Sequence, residues 1–263
     1  MIPYILGGIL IIAGIVVGTL IPLRLKNKNI EIQFMQTTPI SELKGILKDN
    51  AAAGLDGYRH YVEIKGIADS DIHQKAPFSE REVAYFNADL FQVYEESVTQ
   101  TDSKGNRHHK IQRKESLDSN QKSSENIALK DPQTGDKIYI DVSQPGITLE
   151  TLKTLDKFEP SGNMNNYSFF QNFRFGNTGG RTLGYHMIEK TIPLGQMIYS
   201  IGEAWLDGTK IIMGKPKDKN KPFIVSTRSE EAIVQSRKSG AKAALAIGII
   251  IAVAGILVMI FIK

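Results

Sequence analysis

Residues 183–227 read LGYHMIEKTIPLGQMIYSIGEAWLDGTKIIMGKPKDKNKPFIVST. Three turn signals punctuate them: Pro193-Leu194-Gly195, Leu206-Asp207-Gly208, and the lysine-rich KPKDKNKP of residues 215–222. Proline presets one backbone angle of a tight turn, and glycine supplies the left-handed conformation that closes it. The four runs between the turns are rich in Ile, Met, Tyr and Val, too short for helices and suited to strands. Connections this short join strands as antiparallel neighbours in a meander. The expected fold class is therefore α+β: a β-rich domain that curls toward a small barrel, with minor helices.

The strand pattern extends upstream. IALKDPQTGDKIYIDV (127–142) is a hairpin whose turn is built from Asp131, Pro132, Gly135 and Asp136. YRHYVEIKGIAD (58–69) alternates Tyr61, Glu63 and Lys65 against Val62, Ile64 and Gly66, the period of a strand. EVAYFNADLFQVYEE (82–96) reads as a long strand with aromatics on both faces. Residues 97–126 carry Val98, Ile111 and Leu117 among mostly polar neighbours and read as a polar, mobile hairpin insertion turning at 102–106. Residues 37–54 read as a helix with Thr38 as N-cap, Pro39 at the first helical position and Gly54 as its stop. Residues 148–158 are expected to form a short helix. Residues 161–180, rich in Asn, Gly and aromatics, are expected to form an ordered, irregular loop.

The β-rich part, residues 37–235, lies between two uncharged stretches, residues 2–23 and 243–262, with a linker over 24–36. Twenty helical residues span about 30 Å, the thickness of a bilayer's hydrocarbon core. Both stretches are read as transmembrane helices. The first has neither the charged start nor the small-residue cleavage site of a signal peptide and is read as a permanent anchor. Arg24, Lys26 and Lys28 follow the first span, and Arg228, Arg237, Lys238 and Lys242 precede the second. By the positive-inside rule the domain faces the cytoplasm, with both termini outside. Gly14 and Gly18 form a G-x-x-x-G in the first span, and Ala244, Gly248 and Ala252 repeat at the same interval in the second. Such spacing lets helix backbones approach, either as a hairpin of the two spans or as the seam of a homo-oligomer.

Of the formal charge of +4, Lys263 supplies one, which leaves +3 spread over the middle of the chain. That balance excludes a nucleic-acid-binding surface of the usual kind. The sequence has no cysteine, which excludes disulfides, thiolate nucleophiles and cysteine zinc sites. Nucleophile elbows, phosphate loops and H-E-x-x-H helices are absent, and no cofactor or metal site is expected. Asp69, Asp71 and His73 share a spacing that would suit a metal on a strand, but they fall in a polar stretch before Pro77. His108 and His109 sit among cations and read as surface. His186 and Glu189 point to opposite faces of one strand, so they make no acid–base pair; Glu189 reads as a turn or loop ion pair. Lys215, Lys217, Lys219 and Lys221 crowd one loop tip, where they would meet an acidic partner or anionic headgroups. Trp205 and the aromatics Tyr167, Phe169, Phe170, Phe173 and Phe175 read mostly as core, with Trp205 kept as a candidate partner contact beside Glu189.

The phrases YVEIKGIADSD, APFSEREVAYFNADL, LKDPQTGDKIYID, GYHMIEKTIPLGQMIYSIGEAW and KPFIVSTRSEE, set between two anchors, resemble the GIDE-type, beside-a-membrane domain family. Gly184, Glu189, Gly195, Tyr199 and Gly202 carry the most specific part of the likeness. The resemblance implies a relation to membrane-anchored RING E3 ubiquitin ligases of mitochondria and chloroplasts, in which this domain contacts substrates and a RING follows the second anchor. A RING takes cysteine and histidine ligands for zinc, and this chain has no cysteine and stops at Lys263. It is therefore expected to be similar to prokaryotic members that keep the domain and lack the RING. The function this implies is a non-catalytic interaction or scaffold module at a plasma (or thylakoid) membrane, holding an unidentified protein partner. The alternatives are a sensor of anionic lipid or membrane stress, and an unrecognised hydrolase using Asp69, Asp71, His73 and Glu189.

Overall fold

The computed structural model describes residues 2–72, 74–102, 104–166 and 180–261. The chain opens with α1 (Ile2–Phe34). Residues 24–34, expected as linker, continue that helix instead, because the stretch holds helix-forming Leu, Lys, Glu and Gln and no Gly or Pro. A shorter helix, α2 (Ile40–Ala52), begins one residue later than expected, with Pro39 rather than Thr38 at its cap. Ile40, Leu43 and Leu47 recur at helical spacing and are all buried.

The strands then follow in order: β1 (His60–Asp69), β2 (Gln74–Lys75), β3 (Glu82–Thr101), β4 (Arg107–Lys122), β5 (Ile127–Lys130), β6 (Lys137–Ile140), β7 (Leu152–Pro160), β8 (Arg181–Pro193), β9 (Met197–Asp207), β10 (Lys210–Gly214) and β11 (Ile224–Ser226). The last helix is α3 (Glu230–Phe261).

Five strands close on themselves. The circuit runs β1, β5, β6, β10, β9 and back to β1, with β6 and β10 parallel and the other pairs antiparallel. β11 adds to β9. This is a barrel-like sheet of the small five-stranded Greek-key kind. Alternation fills it: Val62, Ile64 and Ala68 of β1, Ile127 and Leu129 of β5, Ile138 and Ile140 of β6, and Ile211 and Met213 of β10 face one core, which α2 plugs with its three buried residues.

A second sheet is built from two insertions into that circuit. β2, β3 and β4 leave between β1 and β5, and β7 and β8 leave between β6 and β9. They pair in the order β2, β3, β8, β7, with β4 also on β3. Phe86, Ala88, Leu90, Tyr185 and Met187 line one face of this sheet, together with Ala76 and Phe78.

The hairpin of residues 127–142 and the four strands of 183–227 are present. Their pairing is richer than a plain meander. β9 and β10 form a hairpin, but β8 belongs to the second sheet, so the Pro193–Gly195 turn carries the chain from one sheet to the other. Gly195 turns in the left-handed region (φ +78°), and its N–H donates to the Ala68 carbonyl at 2.8 Å, which fixes the crossover to the end of β1.

One expectation fails outright. Residues 148–158 were expected to be helical, and Leu149, Leu152 and Leu155 do recur at a helix-like spacing of three. Residues 152–160 are strand β7 on the edge of β8. A bulge between Lys153 and Leu155 shifts the phase of the side chains, and the ladder to β8 outweighs local helical preference. Of the loop expected over 161–180, residues 161–166 form a 3-10 turn, and residues 167–179, with Tyr167, Phe169, Phe170, Phe173 and Phe175, lie outside the described residues.

Candidate functional site

The barrel and the membrane-type helices meet at β9. Its inward face carries Ile198 and Ala204. Its outward face carries Tyr199 and Ile201, which pack against Ile233 and Val234 in the first turns of α3, with Ile224, Met35 and Tyr61 around them. Under this cover lies Glu63, fully buried. It accepts hydrogen bonds from the Thr37 hydroxyl at 2.5 Å and the Tyr199 hydroxyl at 2.8 Å, with Lys65 Nζ 3.8 Å away. Burial, then the bond to Glu63, push the Tyr199 hydroxyl well above the ordinary phenol range. Alternation places Glu63 with Tyr61 and Lys65, on the face of β1 opposite Val62 and Ile64, a face that strand period alone leaves uncovered. The roof supplied by α3 reverses that, and period-two reading carries no signal for a roof contributed by residues so far along the chain.

The residues of the Gly184–Gly202 phrase each have a physical role. A Cβ on Gly184 would strike the Glu159 carbonyl and the Phe158 ring across β7. A Cβ on Gly202 would meet the Gly214 carbonyl at 2.8 Å and the Phe223 ring at 2.9 Å. Glu189 corrects the expected ion pair: its side chain is fully buried, and Oε2 accepts from the backbone N–H groups of Phe78 (2.9 Å) and Ser79 (3.2 Å). The same turn holds Glu80 at φ +56°, a conformation uncommon for a side chain other than glycine. Glu189 thus clamps a strained turn to the sheet.

The other candidates divide between surface and framework. Trp205 is half-buried, with the Arg59 guanidinium 3.9 Å from its ring centre. Lys217 and Lys219 are exposed, Lys221 lies 4.6 Å over the Tyr61 ring, and Lys215 donates to the Pro145 carbonyl. Asp69 and Asp71 are both engaged by one lysine: each takes Lys137 Nζ at 2.8 Å, and Tyr139 donates to Asp71 at 2.7 Å. Those hydrogen bonds hold both carboxyls below the usual range. His73 lies outside the described residues. No cluster of three or more potential metal ligands occurs among the described residues.

His186 does acquire a role. It bridges three strands, with Nε2 at 2.7 Å from Asp156 of β7 and Nδ1 at 2.6 Å from Glu115 of β4. The bond to Asp156 raises the imidazole above its ordinary value, aided by Glu115 and opposed by burial. His186, then Lys153, hold Asp156 down at about 2. The sign follows. A raised histidine stabilises the fold fully below its unfolded value, about 6.5, and loses that contribution as pH rises through the raised one. A depressed aspartate contributes above its unfolded value, about 3.9, and loses it as pH falls toward 2. The melting-temperature advantage of the native protein over His186→Gln is therefore expected to peak near pH 5 and to shrink by pH 9. A pH-independent difference would remove the ion bridge from the account.

α1 and α3 are each long and apolar enough to cross a membrane. They pack on one another through glycines. A Cβ on Gly14 would lie 2.6 Å from the Gly248 carbonyl, and one on Gly248 would lie 2.6 Å from the Gly14 carbonyl. Ala252 packs against Gly14, and Ala244 and Gly248 are buried. Gly7 and Gly255 repeat the arrangement: a Cβ on either would lie 2.6–2.7 Å from the other's carbonyl. Their seven-residue offsets from Gly14 and Gly248 were the sequence signal for extending the seam. The opposite faces, with Ile5, Ile9, Ile12, Ile250 and Leu257, are exposed and apolar.

These features define a class: a β domain held at a membrane by a two-helix hairpin whose second helix starts as part of the domain's own core. Residues 95–260 match the GIDE family, described as an E3 ubiquitin ligase, and the chain belongs to that family. No curated protein and no solved structure matches the chain. The sequence holds no cysteine, so a cysteine-ligated zinc RING is not encoded in these 263 residues.

Proposed function

We propose that the chain is a non-catalytic interaction module that holds a protein partner at a prokaryotic plasma (or thylakoid) membrane. The observation that carries this reading is the outer edge of β4. That strand is 16 residues long, and among the described residues its one neighbour is β3. Its first six residues, Arg107–Gln112, paired to Glu96–Thr101, extend past the end of β8. Ile111 is 69% exposed and Leu117 55% exposed, and they lie on one face with Arg113 and Glu115. An open edge offers unpaired N–H and C=O groups to an extended peptide. Lys114 is paired with Glu96, and Arg107, Lys110 and Arg113 give this edge a positive character that suits an acidic segment.

The test is affinity purification of the full-length protein from native membranes in mild detergent, beside Ile111→Lys/Leu117→Lys. A stoichiometric protein partner is expected with the native chain and at least a tenfold loss with the variant. A bait that emerges with lipid alone refutes the reading.

Sidedness belongs to the same proposal. The basic residues at the inner ends of both spans support a cytoplasmic domain. Because the chain has no cysteine, Asp218→Cys creates a single thiol in the domain. It is expected to react with a membrane-impermeant maleimide only after the membrane is opened. Labelling of intact cells would invert the topology.

A further inference from the structure

The loop between β10 and β11 does more than display lysines. It forms one wall of a cleft of about 400 Å³ whose opposite wall is α3. Four cationic side chains line it: Lys215, Lys219, Lys221 and Arg237. Among the described residues no carboxylate does. The nearby Glu150 is occupied elsewhere, accepting from Ser226 Oγ at 2.7 Å and lying 3.7 Å from Arg228. Two of the cations are already positioned, Lys215 by the Pro145 carbonyl and Lys221 by the Tyr61 ring. Arg237 is the telling member. Its Nη1 is buried and finds no hydrogen-bond partner among the described residues, although a buried guanidinium N–H ordinarily has an acceptor. Lys219 likewise has no partner among them.

We infer that this cleft is a binding site for a phosphate monoester. Four converging cations with no acid among them match a dianion rather than a single negative charge, and a planar guanidinium donates to two phosphate oxygens at once. The cleft exceeds the volume of one phosphate, so it also holds part of the group esterified to it. Arg237 precedes Ala243, the start of the uncharged span, by six residues, or about 9 Å of helix. That distance places the site at the depth of lipid headgroups. A free phosphate ester and a phosphatidic-acid headgroup present the same chemistry to it. The site is independent of the β4 edge.

The experiment uses full-length protein in phosphatidylcholine nanodiscs. In one arm glycerol 3-phosphate is titrated by calorimetry. In the other, phosphatidic acid is added to the discs and lipid retained on the protein is counted by native mass spectrometry. One ligand per chain is expected in at least one arm. Arg237→Gln and, separately, Lys219→Gln are expected to weaken it about tenfold or more, with Lys104→Gln, on the far β3–β4 turn, unchanged. Lys219 is exposed, so its variant tests the site even if Arg237→Gln fails to fold. Binding of the soluble ester assigns a metabolite-type ligand, and retention of phosphatidic acid alone assigns a headgroup. No saturable binding in either arm, or equal weakening by Lys104→Gln, overturns the inference.

Discussion

Gly14→Ala is expected to open the hairpin of α1 and α3, whereas Gly18→Ala, one turn further along the same helix, is expected to leave it closed. Both residues belong to the same G-x-x-x-G, so sequence spacing predicts equal effects. The geometry does not. A methyl on Gly14 would lie 2.6 Å from the Gly248 carbonyl and 2.7 Å from the Ala252 amide nitrogen, both backbone atoms that move only if the helices separate. A methyl on Gly18 finds its nearest neighbour at 3.5 Å, an ordinary contact, beside an apolar groove of about 160 Å³. Overpacking against backbone costs roughly 3 kcal/mol, a large share of helix association in a membrane, where close packing replaces the hydrophobic effect as the driving force. Thermal unfolding of the full-length protein in detergent reads the difference. The effect should reach the barrel, because the first turns of α3 pack on the outer face of β9 through Ile233 and Val234. Equal stability of the two variants would mean that the seam does not hold the spans together.

The second large effect is expected at Glu189. Glu189→Ala removes the acceptor of a buried and a part-buried backbone N–H group and leaves them unsatisfied in the 76–80 turn. Charge-assisted bonds to buried groups are worth about 1.5–3 kcal/mol each, so a total loss of about 3–5 kcal/mol is expected. For a domain of this size that lowers the melting temperature by roughly 6–20 °C. Glu189→Gln keeps an acceptor oxygen and should recover about half. Hydrogen exchange gives the local readout: the amides of Phe78 and Ser79 should lose protection in Glu189→Ala while Ile64 and Leu129, in the barrel core, keep theirs. Unchanged protection at Phe78 and Ser79 would separate Glu189 from the turn.

The strands and spans were legible because their signals are local. Turn residues at 193–195, 206–208 and 131–136 mark where the chain reverses, and two uncharged stretches mark the spans. The connection of the sheets was not legible. β8 and β9 are separated by three residues yet lie in different sheets, and the glycine turn between them looks the same in sequence as a hairpin turn. β7 was hidden by a bulge that imitates helical spacing. The candidate site divides along the same line. The lysines of the 215–222 tip were visible as a charge run, but Arg237 reads as one more juxtamembrane cation until α3 is seen to bring it to the tip. Glu189 reads as a turn or loop ion pair, and Glu63 as one polar position in an alternating strand. They are buried by cover that arrives from the 76–80 turn in one case and from α3 in the other, and neither cover leaves a mark at the residue itself.

The most direct test of the central proposal is a photo-crosslinking amino acid at position 111, on the exposed face of β4, in cells with native membranes. Irradiation is expected to yield one discrete protein adduct, absent when the same amino acid stands at position 48 of α2. Adducts to lipid alone, or the same adducts from both positions, would contradict a partner at the β4 edge.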